Sequence, residues 1–193
     1  MEDSPIKFML GLGNPVDEYS NTRHNVGRWF VDALAAWHHV DWQQEKKFHG
    51  KVTKVHHEDS SIWLLAPNTF MNLSGDALGA MARFYGIAPE SILVVHDDLD
   101  FPAGVVRLKQ GGGHGGHNGL RHIKACLSGE FWRIRLGIGH PGHKDLVHDY
   151  VLHAPSRSDD VSVREAIEKG MSILPSLFIG NFQLAVRQLH QEV

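Results

Sequence analysis

With one cysteine in 193 residues, Cys126, the chain cannot build an internal disulfide framework or a thiolate-based zinc site. It has no apolar run near the roughly 18 residues that a membrane span needs. Its start, MEDSPIKF, is acidic and lacks the cationic and apolar layout of a signal peptide. Internal repeats, low-complexity tracts and linkers are also missing. No Gly-x-Ser-x-Gly elbow points to a serine hydrolase, and no His-Glu-x-x-His pattern points to a zinc protease. These absences lead to the expectation of a soluble cytoplasmic protein made of one domain, residues 1–193. Cys126 sits in an apolar helical pattern and is expected as a buried thiol in a reducing compartment. No exposed heptad or large apolar stripe demands a partner subunit, so a monomer is expected.

Hydrophobic content of 42% and charged content of 21% suffice for a full core. The net charge of −3 conceals a segregation. Between Phe101 and Lys144 there are seven cations and one anion, whereas the remainder carries 12 cations and 21 anions. A basic segment on an acidic body favours a polyanion at one face only. The same window contains Lys109-Gln110-Gly111-Gly112-Gly113-His114-Gly115-Gly116-His117-Asn118-Gly119, with six of the 20 glycines. Ordering such a run costs backbone entropy, and a structural turn needs only one or two glycines. The run therefore reads as a binding loop rather than a hairpin tip.

Ile6 to Leu12 is a short apolar run and is expected as a buried strand. Gly11-Leu12-Gly13 after it has the look of a dinucleotide fingerprint, but position 16 is Val and Pro15 breaks the turn. An amphipathic helix is expected from about Asn25 to His38, with Val26, Phe30, Ala33, Leu34 and Trp37 inward. Lys47 to His56 and Ser61 to Ala66 read as a hairpin around Glu58-Asp59-Ser60. A loop through Pro67 to Asn72 leads to a helix from Ser74 to Tyr85, stopped by Gly86 and Pro89. Further strands are expected at Ile92 to Val95, Val105 to Lys109 and Trp132 to Gly139, the last with Arg133 and Arg135 on one wet face. Helices follow at Gly119 to Leu127, Asp159 to Leu174 and Phe182 to His190, with Pro175 dividing the last two. The interleaving gives an α/β single domain, a twisted mixed β-sheet flanked by helices.

The chemistry that these residues allow is water attack with an imidazole as base. Such a reaction needs a histidine near neutrality, a carboxylate fixing its tautomer, and uncharged donors for an oxyanion. Loops at strand ends supply His24, Asp97 and the carboxamides of Asn14, Asn68, Asn72 and Asn118. His114 with His117, and His140 with His143, show three-residue spacing that raises a metal hydrolase. Neither pair reads as a helix showing both rings on one face. A non-catalytic RNA-binding module, using the basic strand and the aromatic loops, stays open as well.

Gly11-Leu12-Gly13-Asn14-Pro15, Thr22-Arg23-His24-Asn25, Phe70-Met71-Asn72-Leu73-Ser74-Gly75, His96-Asp97-Asp98-Leu99-Asp100, Gly111 to Leu120 and Arg133 to Gly142 together resemble the motif set of bacterial-type peptidyl-tRNA hydrolases. The motifs occur in family order from about residue 7 to the C-terminal helices. The resemblance implies hydrolysis of the ester joining a peptide to the terminal ribose of tRNA, with no metal and no cofactor. It makes His24 the general base, Asp97 its orienting partner, and Asn14 the residue positioning water or ester. It gives Asn72 and Asn118 to the peptide carbonyl and oxyanion, with His117 as a lesser polar contact. Tyr19, Phe70 and Met71 would line the place of the terminal adenosine or first peptide residue. Lys109 and Arg135 would clamp the tRNA 5′ phosphate. Three features depart from the pattern: Asp98 in place of a glutamate, a short segment from Leu127 to Glu130, and Pro175.

Overall fold

The most apolar runs of the chain make the centre of the sheet. The computed structural model describes residues 4–190. The three residues at each end of the expected 1–193 domain lie outside the described residues. Seven strands are present there: β1 (Phe8–Gly11), β2 (Gln43–Glu45), β3 (Gly50–His57), β4 (Ser60–Pro67), β5 (Ile92–Asp98), β6 (Val106–Gln110) and β7 (Trp132–Gly137). They lie in the order β2-β3-β4-β1-β5-β7-β6. β4, β1, β5 and β7 run parallel, and β2, β3 and β6 pair antiparallel at the two sides. Parallel strands are covered on both faces, which is why Phe8–Gly11 and Ile92–Val95 carry no polar alternation.

Alternate residues of each central strand feed two cores. Met9, Leu93 and Val95 pack with α1 (Val26–Trp37), α5 (Arg157–Ser172), α6 (Leu174–Phe178) and α7 (Phe182–His190). Phe8, Leu10, Ile92 and Val94 pack with α2 (Ser74–Tyr85) and α3 (Asn118–Cys126). Among the described residues no helix is long and apolar enough to cross a membrane.

Several local expectations need correction. β2, a Gln-Gln-Glu segment with exposed residues, has no apolar alternation to announce it. The start of the expected strand at Lys47 is a 3-10 turn, Lys46–Phe48, ended by His49 at φ 51°. A short helix α4 (Val147–Val151) lies in a stretch that had suggested no element. Trp37 is 73% exposed, because it is the last residue of α1 and the chain leaves through His39 at φ 53°. Pro175 sits in the first turn of α6, where its missing N–H leaves no helical bond unmade, and so divides the tail as expected.

Glycines set how near α1 comes to the sheet. A Cβ on Gly27 would stand 2.8 Å from the Leu12 carbonyl oxygen and would collide with that of Val95. One on Gly11 would collide with the Gly27 carbonyl. The Arg28 and Leu12 N–H groups then reach the carbonyls of Leu12 (2.9 Å) and Val95 (3.0 Å). Gly11 and Gly27 therefore serve strand–helix contact, not a nucleotide phosphate. This packing lays the start of α1 across the C-terminal ends of β1 and β5, where α/β sheets carry their ligands. Gly27→Ala is expected to destabilise the protein by about 1–3 kcal/mol. Urea unfolding at pH 7 measures it as a lowered midpoint with an unchanged m-value.

Candidate active site

Asp97, the next-to-last residue of β5, is 3% exposed and carries a carboxylate at the bottom of a cleft of about 1130 Å³. An isolated buried carboxylate is costly, so its partners decide what the site is. His24, on the 3-10 turn Arg23–Asn25 that leads into α1, places Nδ1 3.0 Å and 2.9 Å from the two Asp97 oxygens. His117, before α3, places Nε2 2.8 Å from Oδ1. The His24 and His117 rings lie 4.6 Å apart. His24 thus donates from Nδ1–H, and its Nε2 has no hydrogen-bond partner among the described residues.

These contacts set the protonation states. Burial depresses the His24 pKa, but the Asp97 charge and hydrogen bond outweigh it, and the net shift is upward from 6.5. Burial alone would raise Asp97; the two imidazoles and their hydrogen bonds hold it well below the usual carboxylate range. His96, which sequence reasoning passed over as a site residue, also lines the cleft and is 2% exposed. Its Nδ1 donates to the Asp97 carbonyl at 2.7 Å, while its Nε2 is buried without a partner. Burial first, and then the His117 ring beside it, push its pKa down to about 3.

Asn14 is pinned on both sides. Its N–H donates to Asn25 Oδ1 (2.8 Å), its carbonyl accepts from Asn25 Nδ2 (3.0 Å), and its Oδ1 accepts from the Met71 N–H (2.8 Å). The side-chain amide orientation follows, and the NH2 group is the end left for a ligand. Of the apolar pair expected at the rim, Phe70 is 51% exposed, while Met71 is buried in the cleft wall. Tyr19 and Asn72 line the same cleft. Asn118 does too, as the first residue of α3, with its Oδ1 accepting from Arg121 at 2.9 Å. Asn68 stands apart, bonded to Gln44 (2.7 Å). Sequence reasoning also missed the far wall, where Val147, His148, Val151 and Leu152 come from α4 and the residue after it. The i, i+4 pair Val147 and Val151 was the one signal for it.

The basic side is organised differently from expectation. Arg107, Lys109, Arg133 and Arg135 share one face of β6 and β7, with Lys109 opposite Arg133 and Arg107 opposite Arg135. Arg133 is not on a wet face: it is 4% exposed, under the glycine run, and donates to the carbonyls of Gly113 (2.9 Å) and Gly111. Arg135 donates from Nε to Asp98 at 2.7 Å and lies over the Phe101 ring at 4.7 Å. Lys109 is exposed and has no ion pair among the described residues. The glycine run earns its composition, since Gly111, Gly112, Gly115 and Gly116 have φ between 56° and 88°.

The histidines spaced three residues apart are engaged in turns. Nδ1 of His114, His117, His140 and His143 each accepts the N–H two residues on, at 3.0, 3.2, 2.9 and 3.3 Å. Donor atoms of His24, Asp97 and His117 do lie within 4.8 Å of one another, close enough to share a cation. His117, however, spends its Nδ1 lone pair on backbone donors, so its Nε2 must carry hydrogen and is no ligand. The same holds for the cluster Asp76, His122 and Cys126, where His122 Nδ1 accepts from the Gly75 N–H at 3.0 Å. Cys126 is partly exposed rather than buried: it is the last residue of α3, with its sulfur against the start of α2.

A doubly held carboxylate, an imidazole with a spare nitrogen and a cation-lined rim stand together at the C-terminal ends of the parallel strands of an α/β sheet. The peptidyl-tRNA hydrolase family profile matches residues 8–193. A peptidyl-tRNA hydrolase of Coxiella burnetii (strain CbuG_Q212) is 54% identical over 186 residues, covering 96% of this chain and 97% of that protein. One of Nitrosomonas eutropha is 49% identical over 187 residues, covering 96% of each. The crystal structure of peptidyl-tRNA hydrolase from Acinetobacter baumannii superposes with a TM-score of 0.94 at 43% identity, covering 98% of this chain and 96% of that one. The chain belongs to the peptidyl-tRNA hydrolase family.

The buried neutral His96 has a measurable consequence. The unfolded chain takes up a proton below about pH 6.5 that the folded chain refuses until about 3, so stability falls as pH falls through that interval. The limiting slope is about 1.4 kcal/mol per pH unit. Urea midpoints between pH 6.5 and 4 are expected to fall less steeply in His96→Phe than in the parent.

Proposed function

We propose that this chain hydrolyses the ester between peptide and tRNA in peptidyl-tRNA, with His24 as a metal-independent general base. The observation that carries the reading is the His24–Asp97 pair, in which Asp97 accepts from Nδ1 and leaves Nε2 for a water proton. Water attacks the ester carbonyl carbon as its proton passes to His24 Nε2. The resulting tetrahedral oxyanion collapses, the C–O bond to the ribose breaks, and His24 returns the proton to the ribose oxygen. Asp97 stabilises the imidazolium between these two transfers.

The NH2 group of Asn14, held by the Met71 contact, positions the water or the ester. Asn72 and Asn118, both lining the cleft, donate to the peptide carbonyl and oxyanion without adding charge near the base. Tyr19, Phe70 and Met71 receive the terminal adenosine or the first peptide residue. Lys109 and Arg135 take the 5′ phosphate. In support, four like charges on one face of two paired strands repel, and a phosphate relieves that cost. Asp98 fixes Arg135 through Nε and Asp100 meets its Nη2 at 3.5 Å, which leaves Nη1 as the nitrogen for an anion.

His24→Ala is expected to lower single-turnover hydrolysis by about 10²–10⁴-fold while tRNA binding holds. Retained turnover in that variant would falsify the mechanism. Because the His24 pKa is raised, the acid limb of the parent's pH–rate profile is expected above 6.5, with activity lost as pH falls through it. Lys109→Ala and Arg135→Ala should each raise KM and reduce the salt slope of tRNA binding by about one phosphate contact. Unchanged binding at low salt in both variants would move the phosphate site elsewhere.

A further inference from the structure

We infer that His117 is a positioning residue: its ring is locked with the hydrogen on Nε2 by the start of α3, so it can only donate to Asp97 and leaves the proton traffic to His24. This inference rests on the proposal that His24 is the base. Two imidazoles share one carboxylate, and nothing in residue type says which takes the proton. The difference comes from the other nitrogen of each ring.

His117 is the residue before α3, with extended backbone at φ −69° and ψ 114°. Its Nδ1 accepts from the N–H of Gly119 at 3.2 Å and of Leu120 at 3.4 Å. Its carbonyl accepts the first helical bond, from the Arg121 N–H at 2.9 Å. A proton on Nδ1 would face these two N–H donors and the positive end of the helix dipole. The hydrogen therefore stays on Nε2, 2.8 Å from Asp97 Oδ1. His24 has the reverse arrangement, with Nδ1 committed to Asp97 and Nε2 without a partner among the described residues.

The second donor also limits how strongly Asp97 draws on the base. A carboxylate accepting from two rings is less basic than one accepting from one, because each bond stabilises its charge. His24 pairs with Asp97 of β5 and packs against the His117 ring, while His96 lies against His117 and not His24. The charged and titratable groups lining the rest of the cleft are Tyr19, Asp98, Asp100, Lys109, His114, Arg133, Arg135, His140, Lys144 and His148. Among the described residues, only His117 contacts both His24 and Asp97 while also bonding to a helix end. Removing its donor should strengthen the hold of Asp97 on the His24 proton and raise the pH at which the base is freed.

Two experiments test this. In the parent enzyme with ¹⁵N-labelled histidine at pH 8.5, about two units above the ordinary histidine value, two-bond spectra should show the His117 ring protonated on Nε2. A hydrogen on Nδ1 overturns the inference, and this result does not depend on turnover. The second variant is His117→Asn, whose side chain can still cap α3 but is too short to reach Asp97. Its melting temperature should fall, because buried Asp97 loses one of two donors, and the profile is read below the new transition. The acid limb of its kcat profile should move up by about half to one pH unit. An unmoved limb in a folded variant overturns the inference. If the variant fails to fold, the tautomer spectrum of the parent decides. A His24→Ala variant that keeps turnover would sink the general-base proposal and leave the tautomer result standing, so the two failures are told apart.

Discussion

The carboxylate of Asp97 is the constraint on which the site depends. It is buried at the end of a strand enclosed by two neighbours, and only donors brought from elsewhere in the chain can satisfy it. Those donors arrive from 73 residues before it and 20 residues after it. A buried charge that loses one of two donors bears a large penalty, so both loops are held in place by the same atom group. The cleft is shaped by that requirement. Its two sides, the turn before α1 and the turn before α3, meet across a single side chain.

The glycines make the meeting possible. Gly11 and Gly27 let α1 lie against β1 and β5, which brings the His24 turn over the strand ends. Gly75 does the same between α2 and α3, where a Cβ would come within 2.7 Å of the His122 carbonyl. Gly119 packs against Met71 and Leu12 at the beginning of α3. The glycine run supplies a different property, a backbone in the left-handed region whose carbonyls bind Arg133 from below. That contact converts one arginine from a surface charge into a support for the loop, and leaves Lys109, Arg135 and Lys144 as the other cations lining the cleft.

Much of this could be read in the chain. Apolar runs without polar alternation gave the central strands, and amphipathic spacing gave α1, α2 and α3. The order of the loop motifs was enough to recognise the family. Elements with weak patterns were lost: β2 is three polar residues on an edge, and α4 is too short for a period. Trp37 and Arg133 were placed on the wrong side of the surface for opposite reasons. One follows its helix beyond the core, and the other is covered by a loop with no hydrophobic signal of its own. The paired histidines resembled metal ligands by spacing alone, and each instead spends Nδ1 on the N–H two residues on.

The sequence by itself determined residue types and their local order: the α/β alternation, the charge segregation, and the presence of a histidine, an aspartate and asparagines at strand ends. Composition and periodicity are local properties, and the chain carries them wherever it folds. Only the tertiary structure decided which atoms of those residues are spent and which are free. His24 and His117 are the same side chain, yet one offers Nε2 and the other has no nitrogen left to offer. Asn14 turns its NH2 outward because Met71 occupies its oxygen, and Arg135 keeps only Nη1 because Asp98 holds Nε and Asp100 meets Nη2. Hydrogen-bond capacity is fixed by residue type, but its allocation depends on neighbours distant in the chain.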